Sequence, residues 1–149
     1  MNAEQRYLEK AVDRYSPEVR ATARAALKKL RAQFPGARQM VYERRGSLPI
    51  GFAPHARGSA VFSLVLFPRW VRFFFLEGIA LDDPDHRLEG NGKQVRSLRV
   101  DDEATIFDDP YICGLVAQAL KVAGADLKTG RGRVELRSRF EPSSRRSPG

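Results

Sequence analysis

The sequence predicts an α+β domain in which helices at both ends of the chain pack on a mostly antiparallel β-sheet. Three observations support this fold class. Apolar residues recur at helical spacing near the start of the chain and again after residue 109, and a run of short strands lies between these two regions. The connections between these strands are too short to hold crossover helices, so neighbouring strands should run antiparallel.

Two helices are predicted at the N-terminus. The first covers residues 4–14, and Ser16-Pro17-Glu18 then provides an N-cap, a proline at the first helical position and an acid in the first turn of the second. The second helix carries one apolar stripe, which consists of Val19, Ala23, Ala26, Leu27, Leu30 and Phe34. Its other side is basic, with Arg20, Arg24, Lys28, Lys29 and Arg31.

Six strands are predicted, over residues 39–45, 48–52, 59–67, 71–77, 94–100 and 133–137. Pro49 lacks a backbone N–H, which places the second strand at an edge of the sheet. The third and fourth strands form a hairpin with Trp70 at its tip, and both faces of this hairpin are apolar. Such strands are normally covered on both sides, here by helices on one face and by a loop or a second subunit on the other. A homodimer is therefore an open alternative.

A last helix is predicted to begin at Asp109-Pro110 and to end at Gly124. Cys113 follows Ile112 in this helix and is expected to be a small core residue. No linker or internal repeat divides the chain, so residues 1–140 should form a single domain. Residues 141–149 should form a basic, disordered tail.

Composition excludes several classes of protein. The chain has 149 residues, of which 42% are hydrophobic and 30% charged, as is usual for a globular domain. It has neither an apolar run long enough to cross a membrane nor the apolar segment of a secretory signal. A single cysteine permits no internal disulfide and suits a reducing compartment. We therefore expect a cytoplasmic protein without a membrane segment.

The formal net charge of +8 raises the possibility of nucleic-acid binding. Residues 1–33 carry four net positive charges and residues 128–149 carry five, whereas residues 34–127 carry one net negative charge. The excess thus lies on the first helices and the tail, where it supplies only non-specific affinity. Nucleic-acid binding is accordingly the less favoured alternative.

Residues 81–96 contain most of the candidate functional side chains. Asp82, Asp83, Asp85 and Glu89 are candidate oxygen ligands for a hard cation, although their spacing does not match an EF-hand. The turn Gly90-Asn91-Gly92-Lys93 could hold an anion, but it lacks the spacing of a P-loop. Period-two alternation turns Arg96 inward, where it should pair with a carboxylate, Glu77 or Glu89, as a clamp that holds the acidic turn against the sheet. The candidate binding residues are Arg96, Glu89, Lys93 and Glu77.

Catalytic residues are scarce in this sequence. It contains no G-x-S-x-G motif, and His55 has no acidic neighbour in sequence that would make it a general base. No acid, base and nucleophile can be combined into a known arrangement. An enzyme is therefore not expected, and no cofactor is predicted apart from the candidate hard cation.

The central motif resembles that of a known family. Its residues are Phe73, Phe75, Leu76, Gly78, Leu81, Asp83-Pro84, Leu88-Glu89-Gly90, Gly92-Lys93 and Arg96, and together they are similar to the hallmark of the YdhG-like family, the domain of unknown function 1801. The resemblance implies a compact α+β fold comparable to frataxin, in the bacterial cytoplasm. For one branch it implies an iron chaperone that binds iron through acidic surface residues. The basic second helix of this chain departs from that acidic surface.

Three functions follow from the sequence. The first is a small non-enzymatic binding module whose small ligand or protein partner contacts residues 81–96 and the nearby hairpin face. The second is iron delivery through the four acids named above. The third is binding of nucleic acid or an acidic partner through Arg20, Arg24, Lys28 and the basic tail.

Overall fold

The computed structural model describes residues 1–140 and confirms the α+β fold class. The helices of this part are α1 (Ala3–Asp13), α2 (Pro17–Gln33) and α3 (Pro110–Ala123). The strands are β1 (Arg38–Tyr42), β2 (Leu48–Ala53), β3 (Phe62–Leu66), β4 (Val71–Phe75), β5 (Arg96–Arg99) and β6 (Arg133–Ser138). The tail predicted for residues 141–149 lies outside the described residues. No helix within residues 1–140 is both long and apolar enough to span a membrane.

The ends of α2 and α3 lie where capping residues predict them. The Ser16 hydroxyl accepts a hydrogen bond from the Val19 N–H at 3.2 Å at the start of α2. At the start of α3, the Asp109 carboxylate accepts from the Tyr111 N–H at 2.9 Å. Gly124 ends α3 with a φ of 60°, a conformation that glycine adopts without steric cost.

Cys113 does not join the core, contrary to the sequence prediction. The buried stripe of α3 consists of Ile112, Leu115, Val116 and Ala119. Cys113 is one position away from Ile112, which turns it by about 100° around the helix and leaves it exposed. Its thiol contacts the carbonyl oxygen of Phe107 at 3.3 Å.

The six strands form one sheet in the order β5-β4-β3-β2-β1-β6. The neighbouring pairs among β1 to β5 are antiparallel, whereas β6 is parallel to β1. Strand β2 is therefore interior, and the edge position inferred from Pro49 is wrong. The ladder between β1 and β2 begins at Ile50, so the missing N–H of Pro49 falls at the end of that ladder, beside the turn.

Close backbone contacts bring β6 to the side of β1. The segment that follows α3 crosses the turn that follows α2, where the Gly36 N–H donates to the Leu127 carbonyl and the Gly132 N–H donates to the Pro35 carbonyl, both at 2.8 Å. A Cβ atom on Gly36 would lie only 2.1 Å from the Thr129 carbonyl oxygen. The approach thus requires a residue without a side chain.

The hydrophobic core lies between the helices and one face of the sheet. Phe34, at the end of α2, stacks on Phe62 of β3 with ring centroids 5.2 Å apart. Phe107 meets Phe73 of β4 edge to face at 5.0 Å. The buried apolar side chains of all three helices belong to this core. Each large side chain buried here contributes about 1.5–3 kcal/mol of transfer free energy.

The opposite face of the sheet, called the second face below, has different surroundings. Its buried residues Met40, Ala53 and Val65 lie outside the core cluster, and within residues 1–140 no helix packs its buried stripe on them. The loop of residues 54–60 covers one end, where the Arg38 guanidinium donates to the Pro54 carbonyl at 2.8 Å and to the Gly58 carbonyl at 2.6 Å. The hairpin is thus covered by helices on one face and only in part by a loop on the other.

Candidate functional site

Asp83 anchors the loop of residues 81–96 to α3. Its carboxylate accepts hydrogen bonds from the backbone N–H groups of Arg87 at 3.0 Å and Leu88 at 2.9 Å, and from the Tyr111 hydroxyl. Burial acts to raise the pKa of Asp83, but these hydrogen bonds outweigh it and hold the pKa below its usual value. The carboxylate oxygens of Asp83 that could bind a metal are therefore already used to anchor the loop.

The other acids of the loop do not converge with Asp83. Asp82 and Asp85 contact α3 through their backbones, because the Asp82 N–H donates to Gln118 at 2.8 Å and the Asp85 N–H to Tyr111 at 3.0 Å. The Glu89 carboxylate instead contacts Arg72. Within the described part of the chain, no three His, Cys, Asp or Glu side chains form a group that could hold a metal ion. The iron hypothesis thus finds no support in these four acids.

Arg96 lies on the core face as predicted, but its partner is not a carboxylate. It is the register partner of Phe75, and its stem packs so closely on Gly78 that a Cβ there would lie 2.5 Å from the Arg96 Cβ. The guanidinium donates to the carbonyl oxygens of Gly92 at 2.7 Å and Val95 at 2.8 Å. The predicted pairing with Glu77 or Glu89 is wrong, since the glycine-rich turn itself supplies the acceptors.

The side chains of Glu77 and Lys93 are both exposed. Neither side chain makes an ion pair with any residue in the range 1–140. Glu77 lines a cleft of about 510 Å³ between the loop of residues 54–60 and the end of α3, together with Arg57. Arg96 links the segments of both residues, because it packs on Gly78 beside Glu77 and donates to the Gly92 carbonyl beside Lys93, whereas Glu89 contacts Arg72 instead.

Glu89 forms a network with two residues that the sequence did not single out as candidates. The Arg72 guanidinium donates to the Glu89 carboxylate at 2.5 Å and to the Ser97 hydroxyl at 3.0 and 3.1 Å. Glu89 and Ser97 also exchange backbone hydrogen bonds of 2.7 and 2.9 Å. This bridge occupies the outer edge of β5 at Ser97 and borders the second face.

The uncovered part of the second face combines arginine with aromatic side chains. Arg99, Arg72 and Val65 are successive register partners across β5, β4 and β3. Phe74 lies two positions after Arg72 on the same side of β4 and is half-buried. The guanidinium of Arg99 lies over the ring of Trp70, 5.4 Å from its centroid. Arg72, Arg99 and Phe74 thus lie together at the β4–β5 side of the face, and Trp70 adjoins them at the hairpin tip, where it lines a cleft with Glu18 and Asp102.

Period-two alternation is the signal that could have identified this surface. Arg72 stands between Val71 and Phe73, which are both buried in the core, so its side chain must point to the opposite face. Arg99 stands between Leu98 and Val100 in the same way. The sequence shows which side of its own strand each arginine occupies, but only strand pairing shows that they are neighbours.

The basic side of α2 is partly neutralised by neighbouring groups. Arg24 pairs with Asp13, and Lys29 pairs with Asp108 at 2.5 Å. Arg20 donates to the carbonyl oxygens of Asp13 at 3.2 Å and Tyr15 at 3.3 Å. These contacts make the helix a weaker binding surface for a polyanion than its composition predicts.

Comparison with models of protein families, with curated proteins and with solved structures found no match. The resemblance of the central motif to the YdhG-like family therefore stays a prediction. What the site can bind must be inferred from its own residues.

Proposed function

We propose that this protein is a small non-enzymatic binding module of the cytoplasm, and that it binds single-stranded nucleic acid on the second face of its sheet. The observation that carries this proposal is the juxtaposition of Arg72, Arg99 and Phe74 on one sheet face, with Trp70 against Arg99 at the hairpin tip. A guanidinium group donates two parallel hydrogen bonds to a phosphate and also stacks on planar groups. Aromatic side chains on a sheet offer stacking positions for unpaired bases.

The charge of the second face supports a polyanionic ligand. Its acids, Glu89 and Glu135, already contact arginines: Glu89 contacts Arg72, and Glu135 contacts Arg38, Arg133 and Arg137. On the strands themselves positive charge therefore exceeds negative charge, whereas Glu18, Asp102 and Glu103 line the clefts beside Trp70 and Arg99 and oppose an anion at that end. Interleaved aromatic rings favour nucleic acid over an acidic peptide, because a peptide of carboxylates has no flat groups to stack on them.

The loop of residues 81–96 retains a role in this proposal as one border of the binding surface. Glu89 positions Arg72 and competes with a ligand phosphate for its donors. From the sequence we expected a ligand to contact this loop and the nearby hairpin face. The proposed ligand lies in the same region, but its principal contacts are with β4 and β5.

The single tryptophan provides a direct test, because Trp70 lies beneath Arg99. We expect a single-stranded oligonucleotide to change Trp70 fluorescence in the full chain, with an affinity that falls steeply as salt is added. Fluorescence anisotropy of the labelled oligonucleotide should give the same affinity.

Two outcomes would reject the proposal. One is the lack of any change in either signal at low salt. The other is a polyglutamate that binds as tightly as the oligonucleotide, which would assign the surface to an acidic protein partner. Lys28→Ala on α2 is the matched control. It removes one positive charge from the helix that was predicted from the sequence to contact nucleic acid, and it should alter the affinity little.

A further inference from the structure

A separate polar cleft lies between α1, the end of α2 and the start of β6. Its volume is about 400 Å³, within the range of small-molecule sites. Its charged lining residues are Arg31, Arg131, Arg133 and Glu9. Arg133 pairs with Glu135 on the second face, so within residues 1–140 the charges left to the cleft are those of Arg31 and Arg131 against Glu9.

Arg31 has unused hydrogen-bonding capacity there. Its Nε donates to the Gln39 side-chain oxygen at 2.8 Å, and Gln39 is itself buried at 7% exposure. The terminal nitrogens of Arg31 have no acceptor within residues 1–140. Burial lowers the pKa of Arg31, against the opposing effect of Glu9, yet arginine stays charged at neutral pH. A half-buried cation whose outer donors face a cleft is available to an anion, which would replace water on those donors.

The opposite wall of the cleft is held in place by His55. The Arg131 carbonyl oxygen accepts a hydrogen bond from His55 Nδ1 at 3.1 Å. The Arg133 guanidinium donates to the His55 carbonyl at 3.2 Å and to Glu135 at 2.9 Å. The wall is therefore ordered before any ligand arrives, which reduces the entropic cost of binding.

We infer that this cleft binds a small oxyanion through a phosphate or carboxylate group, with the terminal nitrogens of Arg31 as the principal donors. The planar fork of a guanidinium matches two oxygen atoms of either group. Arg131 adds positive charge, while Glu9 opposes the anion and weakens its binding. This inference does not rest on the proposed function, because the cleft shares neither Arg72 nor Arg99 with the nucleic-acid surface.

Calorimetry and thermal unfolding of the full chain test the inference, with sodium phosphate and sodium citrate as probes and sodium chloride at equal ionic strength as the control. We expect phosphate or citrate to release heat and raise Tm, while chloride does neither. The stronger of the two probes identifies the anionic group that the cleft prefers.

Variants connect the effect to the cleft. Arg31→Gln should lower the affinity by about tenfold, as expected for the loss of charged hydrogen bonds. Glu9→Gln should raise it, whereas Lys28→Gln on the outer side of α2 should leave it unchanged. If circular dichroism shows that Arg31→Gln is misfolded, Glu9→Gln decides the question alone. The inference is overturned if neither anion binds the wild-type protein at millimolar concentration, or if folded Arg31→Gln or Glu9→Gln binds as the wild type does.

Discussion

The guanidinium of Arg72 on β4 donates to the carboxylate of Glu89 and so joins the loop of residues 81–96 to the second face of the sheet. The Arg72 side chain is 20% exposed and that of Glu89 is 67% exposed. A pair this open to water contributes little to stability. Its greater consequence is electrostatic, because Glu89 lowers the positive potential beside Arg99.

Glu89→Gln should therefore change the affinity for nucleic acid while changing the free energy of unfolding little. Urea unfolding should show a change of less than about 1 kcal/mol in the free energy of unfolding. Affinity for single-stranded nucleic acid should rise by about fivefold, which corresponds to roughly 1 kcal/mol. Glu77→Gln is the matched control, since Glu77 is an exposed acid without an ion pair in residues 1–140. Equal affinity changes in the two variants would contradict the role assigned to Glu89.

Arg99→Ala and Phe74→Leu should weaken binding in different ways. Loss of the Arg99 phosphate contact should reduce the slope of log K against log salt by about 0.7. Phe74→Leu keeps an apolar side chain on the sheet but removes a stacking ring, so it should cost about 1–3 kcal/mol of binding energy and leave the slope unchanged. Anisotropy titrations at several salt concentrations measure both quantities. A Phe74→Leu protein that binds normally would show that bases do not stack there.

Gly36→Ala should destabilise the fold by about 1–3 kcal/mol or more, as expected for overpacking against rigid backbone. The added Cβ would lie 2.1 Å from the Thr129 carbonyl oxygen and would push away the segment that leads into β6. Gly114→Ala is the contrasting variant, because Gly114 is exposed in α3 and nothing lies within 4 Å of its added Cβ. That change should stabilise the protein by about 0.4–1 kcal/mol. Urea unfolding of both variants would show opposite signs, and two equal values would disprove the close contact.

Tyr111→Phe should reduce stability at neutral pH and have less effect in acid. Hydrogen bonds from Tyr111, Leu88 and Arg87 keep the pKa of Asp83 below its usual value despite the opposing effect of burial. A carboxylate with a lowered pKa in the folded state stabilises the fold above its unfolded pKa of about 3.9, and this contribution is lost as pH falls through the folded pKa. The difference between the wild type and the variant should shrink over that range.

Urea midpoints at neutral pH and at about pH 2 measure this effect. Tyr42→Phe is the control, since no hydrogen bond of the Tyr42 hydroxyl occurs within residues 1–140. A Tyr111→Phe difference that is the same at both pH values would show that the contact does not depend on the Asp83 charge.

The chain should be a monomer in sedimentation velocity at low salt, although the apolar hairpin left a homodimer open. A two-fold interface on the second face would place Arg72 and Arg99 against the same residues of a second copy. Like charges at such a contact oppose association. A dimer that forms at low salt and loses its contact in Arg99→Glu would contradict this expectation.

The α+β class, the helix ends and the side of each strand on which a residue lies could be predicted from the order of the residues alone. Ser16, Asp109 and Gly124 act through contacts within a few residues, and strand alternation is equally local. These features therefore needed no knowledge of the tertiary structure.

Which side chains meet depends on contacts between segments that are far apart in the chain. In the fold, the Arg72 guanidinium donates to Glu89, and the Arg96 guanidinium donates to the carbonyl oxygens of Gly92 and Val95. The fold also pairs β6 parallel to β1, and within residues 1–140 no helix packs on the second face. The physical reason is that strand order and long-range pairing depend on how the whole chain buries its apolar surface, so a charged residue finds its partner through packing rather than through its distance along the sequence.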